Sequence, residues 1–107
     1  MNPDRVLLTE EAGADLLCIE DIIIDRELAS ATPDLDVVRR LRDAVDHALR
    51  LLAFSPYSCR RATRARNERQ RELIIPFGHS GLVAAFEVRG EVVWIGAIRH
   101  QLEQDYP

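Results

Sequence analysis

The chain has 107 residues, 47% of them hydrophobic and 30% charged, with a formal charge of −4 at neutral pH. That suffices for one core, so residues 1–107 read as a single domain. The acidic balance speaks against a general nucleic-acid binder, whose affinity comes mainly from neutralising phosphates, and no apolar run reaches the roughly 20 residues that span a bilayer.

Residues Arg5 to Thr9 form a short apolar run that predicts a first strand. Thr9, followed by Glu10 and Glu11, supplies a capping hydroxyl and acids at the positive end of a helix dipole. The helix is expected to run to about Ala29, with Ala12, Leu16, Ile19 and Ile23 as its main stripe. Leu17, Ile24 and Leu28 make a second stripe to one side, with Glu20 and Glu27 projecting between the two. A helix apolar on more than one face has more greasy surface than one small core uses, and the excess predicts a partner lying against it.

Thr32-Pro33-Asp34 carries a cap, a proline at the first helical position and a first-turn acid. The second helix is expected over about Pro33 to Phe54. Val37, Val38, Leu41, Ala44, Val45, Ala48, Leu51 and Leu52 share one side, and Arg39, Asp43, Asp46 and Arg50 the other. Two helices so closely joined make an antiparallel hairpin.

Residues 1–54 hold twelve acids and six arginines, a net −6, whereas residues 55–107 hold six acids and eight arginines, a net +2. Arg60, Arg61, Arg64, Arg66, Arg69 and Arg71 crowd into a segment after Ser55-Pro56-Tyr57-Ser58, opposed only by Glu68. Three strands then follow: Arg71 to Pro76, Gly81 to Arg89, and, after a Gly90-Glu91 turn, Val92 to Ile98. Leu82, Ala84, Phe86 and Val88 share one face of the second of these. On the last, Val93, Ile95 and Ala97 are expected on one face and Val92, Trp94 and Ile98 on the other, with Trp94 in the core. The fold class is α+β, in the order β-α-α-β-β-β, with the helical hairpin packed on a mainly antiparallel four-stranded sheet.

Cys18 and Cys59 have no metal-ligand spacing and read as reduced thiols. Cys59 has Arg60 and Arg61 beside it, the kind of neighbour that lowers a thiol pKa, yet no histidine is placed with it by the sequence. His47 and His79 have no companion at ligand spacing, so no metal and no cofactor is expected. The start lacks a secretion signal's layout, which makes the cytoplasm the expected compartment. Lysine is absent throughout, so lysine-dependent chemistry is excluded.

The stretch Arg71-Glu-Leu-Ile-Ile-Pro-Phe-Gly78, the Gly81 turn into the next strand and the closing Ile98-Arg99-His100-Gln101 resemble the C-terminal half of the ParE/RelE toxin superfamily of type II toxin–antitoxin systems. Upstream, VLLTEEAGADLLCIEDII is similar to that family's first strand and acidic, leucine-rich first helix. The likeness is specific over residues 71–106 and holds elsewhere as element order. It implies a toxin, neutralised by a cognate antitoxin whose disordered segment folds across it. The second stripe, Leu17, Ile24 and Leu28, is then the expected antitoxin surface, and the acidic first half asks for basic residues in that segment.

Two mechanisms come with the resemblance. RelE-like members are ribonucleases that cut messenger RNA on the ribosome; here the candidates for that chemistry are His100, Arg99 and Tyr106. ParE-like members inhibit DNA gyrase by binding. The RelE-like pattern places an arginine about where this chain has Val83, and the chain is net acidic, so the ParE-like reading is favoured. Arg99, His100, Gln101 and Tyr106, extended by Arg60, Arg61 and Arg64, are then the target-docking residues, because arginine and tyrosine commonly anchor interfaces. No sequence-specific nucleic-acid contact and no membrane contact is expected. A member that has lost toxicity and survives as a binding module is the third alternative.

Overall fold

The computed structural model describes residues 5–62, 65–78 and 81–100. The chain runs β1 (Arg5–Leu8), α1 (Glu10–Leu28), α2 (Val37–Phe54), β2 (Arg60–Arg61), β3 (Gln70–Ile75), β4 (Leu82–Arg89) and β5 (Val92–His100), with a 3-10 turn at Pro56–Ser58. The strands make one sheet in the order β1-β5-β4-β3-β2. β1 lies parallel to β5, and the other neighbours are antiparallel. The α+β class and element order are as expected, but the sheet has five strands, not four. The extra one comes from the arginine-rich segment: Arg60 and Arg61 pair with Glu72 and Arg71. That pairing brings the Arg60 guanidinium to 2.7 Å from the buried Glu72 carboxylate, which fixes the edge.

Thr9 starts α1 as expected. Its hydroxyl accepts the Ala12 N–H at 3.1 Å and donates to the Gly96 carbonyl at 3.3 Å, so one side chain both caps the helix and ties it to β5. Ala12, Ile19 and Ile23 are buried, with Leu16 packed against them. Glu20 departs from expectation. It is buried, and Arg42 of α2 grips it with a two-pronged pair, Nε to Oε1 at 2.9 Å and Nη2 to Oε2 at 3.3 Å. A buried carboxylate needs such a donor set.

α2 begins at Val37 instead of Pro33. Two carboxylates hold the preceding segment outside the helix: Glu27 accepts the Asp34 N–H at 2.8 Å, and Asp34 accepts the Asp36 N–H at 3.0 Å. Val37, Leu41, Val45, Ala48 and Leu52 are then buried at helical spacing, and Leu51 turns outward.

On the sheet, Ala84, Phe86 and Val88 lie opposite Ile98, Ile95 and Val93, and all six belong to the core beneath the helices. The register slips between Ala85 and Phe86, which face Ala97 and Ile95, leaving Gly96 as the extra residue of a bulge. The bulge reverses the alternation of the last strand. Ile98, not Ala97, therefore joins Val93 and Ile95 on the core face. Trp94 lies opposite Glu87 on the other face and is 36% exposed, which corrects the expectation that it is core. β5 is apolar on both faces, so only the helices' position could have decided the side. Gly90, at φ 61°, makes the sharp turn between β4 and β5.

Candidate functional site

Arg99 and His100 are adjacent on β5 but oriented by their cross-strand neighbours. Arg99 stands opposite Val83 and His100 opposite Leu82. Successive strand residues point to opposite faces, so the two side chains leave the backbone in opposite directions. Arg99 is exposed and makes no ion pair with a described residue; His100 is half-buried. Both reach the rim of a groove of about 360 Å³ between α1 and the end of β5, floored by Cys18, Ile19, Ile22 and Ile98. β1 stops at Leu8, which leaves the far half of β5 without a strand on this side. Asp15 of α1 covers part of the gap by accepting the Ile98 N–H at 3.0 Å. Gln101 and Tyr106, expected to complete the cluster, lie outside the described residues.

The arginine run is only partly free. Arg60 is committed to Glu72. Arg71, largely buried, donates to the carbonyls of Glu68 and Cys59 at 2.9 Å and of Tyr57 at 3.4 Å. Its guanidinium also lies 5.0 Å from the centroid of the Tyr57 ring. It is a rivet between β3 and the segment after α2. Arg61 reaches Glu68 at 3.7 Å and stays more than half exposed. Arg66 and Arg69 are exposed, and Arg64 lies outside the described residues.

On α1, Leu17 is 62% exposed, Ile24 36% and Leu28 65%, so the second stripe does face outward. Asp21 sits within the stripe and Asp25 beside it, both exposed. Cys18 is exposed in the groove, and Cys59 is half-buried. Burial pushes the Cys59 thiol above its ordinary value despite the opposing charge of Arg71, the reverse of what Arg60 and Arg61 suggested in the sequence. Among the described residues no three of His, Cys, Asp and Glu lie close enough to share a metal ion. No described helix is long and apolar enough to cross a membrane.

One surface went unread in the sequence: Leu51, Phe54 and Tyr57, at the end of α2 and in the turn that follows, are all exposed. The signal was present. Leu51 lies at the margin of the apolar arc of α2, where the neighbouring Leu52 already fills the core position.

A helical hairpin on an antiparallel meander, closed by a parallel first strand, defines a two-layer α+β fold known from solved structures. The chain matches one described as "Chromosomal ParDE TA system from P. aeruginosa", with a TM-score of 0.61 and 22% identity over 90% of this chain and 94% of that one. At that identity the likeness is one of fold. No protein-family model and no curated protein matches the chain.

Proposed function

We propose that the chain is the toxin of a type II toxin–antitoxin system, ParE-like, which binds and inhibits DNA gyrase and is neutralised by a cognate antitoxin. The observation that carries this reading is the fold likeness to a chain of a ParDE toxin–antitoxin system across nine-tenths of the sequence. The outward stripe Leu17, Ile24 and Leu28 supports an antitoxin surface on α1, since a small domain gains nothing from leaving three large aliphatic groups in water. Asp21 and Asp25 there suit an antitoxin segment with basic residues at helical spacing. The exposed Arg99, with Gln101 and Tyr106 following it in sequence, supports target docking at the end of β5.

Induction in a bacterial host is expected to arrest growth, with rescue by the neighbouring reading frame. Ile24→Asp should abolish rescue while leaving the arrest intact. The purified chain should block supercoiling by gyrase and leave messenger RNA on ribosomes uncut. Normal supercoiling at concentrations that arrest cells overturns the gyrase target, and growth unaffected by induction overturns the toxin reading.

A further inference from the structure

The exposed apolar end of α2 does not belong to either surface described above. Phe54 is 72% exposed, Leu51 53% and Tyr57 51%. Leu51 and Phe54 lie three residues apart and share a helix face, and the 3-10 turn at Pro56–Ser58 carries Tyr57 onward from it. Three large apolar groups thus stand in water within seven residues, and Tyr57 is held in place because Arg71 pins its carbonyl and stacks against its ring.

The charge around them has one sign in excess. Arg50 precedes Phe54 by one helical turn and is exposed. Beyond the Tyr57 ring stands Arg71, then Glu68 at 3.3 Å, then Arg61 at 3.7 Å from the same carboxylate. A single carboxylate thus serves two guanidiniums, and Arg50 has no ion pair with a described residue. An arriving carboxylate would find Arg50 one turn from Phe54, and Arg61, more than half exposed, beyond the Tyr57 ring and Arg71. Arginine and aromatic groups together are what energetically dominant interface positions use.

We infer that Leu51, Phe54 and Tyr57, flanked by Arg50 and Arg61, form a docking site for an acidic segment of a partner protein that carries an apolar anchor residue. The anchor covers Phe54 and Leu51, and its acidic neighbours meet the two guanidiniums. A nucleic acid is a poorer match. The aliphatic Leu51 offers no ring for a base to stack on, and the acidic α1 is part of the same small domain, which opposes a long polyanion. The inference does not rest on the toxin reading, since it uses neither α1 nor the end of β5.

Selection of a random peptide library on the immobilised full chain tests it. Enriched peptides should be net acidic with at least one large apolar residue. Their affinity should fall by about tenfold or more in Phe54→Ala and in Arg61→Glu. Phe54 is exposed and unpaired, so Phe54→Ala should melt with the parent chain; Arg61→Glu also loses the pair with Glu68 and is compared at a temperature where circular dichroism shows both chains folded. Ile24→Asp should bind the acidic peptides normally. Several outcomes overturn the proposal. These are failure to enrich any peptide whose binding needs Phe54, a neutral or basic character among the Phe54-dependent peptides, and binding of the acidic peptides lost in Ile24→Asp but kept in Phe54→Ala. Single-stranded DNA binding that depends on Phe54 and exceeds peptide binding also overturns it.

Discussion

Thr9 and Arg71 each do several jobs with one side chain. The Thr9 hydroxyl satisfies an α1 amide and reaches the Gly96 carbonyl, joining helix start to bulge. Thr9→Ala is expected to lower stability by about 1–2 kcal/mol, by urea denaturation, as for a lost N-cap. Arg71 draws its value from a planar fork aimed at several carbonyls, a geometry that lysine cannot copy. It was read in the sequence as one cation in a basic run; nothing in the spacing revealed that it points inward. The same holds for Cys59, whose arginine neighbours were visible while its burial was not. Because thiolates are the reactive form, iodoacetamide should modify the exposed Cys18 well before Cys59, read by mass spectrometry of the native chain. Equal rates would contradict the burial described for Cys59.

At the scale of elements, helical periodicity was the clearest signal. Ala12, Ile19 and Ile23 of α1 and Val37, Leu41 and Val45 of α2 are buried as their spacing required. Leu51 and Leu52 show where that signal stops. Both lie on the apolar arc, yet Leu52 is fully buried and Leu51 is half in water. Leu52→Ala should therefore cost about 2–5 kcal/mol through lost burial and the cavity left behind. Leu51→Ala should stay within about 0.5 kcal/mol, and calorimetry of the two variants checks the contrast. The start of α2 was missed because a carboxylate network overrode the proline signal. Arg40 pairs with Asp34, and this hydrogen bond, with that from the Asp36 N–H, holds the Asp34 carboxyl below its ordinary value. A depressed carboxyl adds stability above its unfolded value, lost as pH falls through the folded one. Asp34→Asn should thus be less stable than the parent near neutrality. The difference should vanish below the ordinary carboxylate range of about pH 4, as followed by denaturant midpoints across pH.

At the scale of the whole molecule, α+β layering followed from the order of elements, but the sheet's edges did not. β2 is too short to show a strand pattern, and it exists because its arginines pair with β3. Likewise the spacing of Arg99 and His100 did not show that they leave β5 toward opposite faces while bordering one groove. β4 lies between β5 and β3, so its amides should be the slowest to exchange with deuterium, with those of β2 much faster. The Ile98 amide donates to Asp15. Asp15→Ala should speed its exchange selectively, and an unchanged Ile98 rate would show that some other group protects it.

The parallel union of β1 with β5 also bears on biosynthesis. Val6 must wait for Val93, among the last residues of the fold to emerge from the ribosome. Until then Thr9 has no Gly96 carbonyl and α1 lacks β5 beneath it, so a growing chain holds its first helix half-anchored until β5 has been made. Anything that depends on the closed sheet is thereby postponed until synthesis has passed residue 100, with the apolar face of the nascent helix uncovered in the meantime.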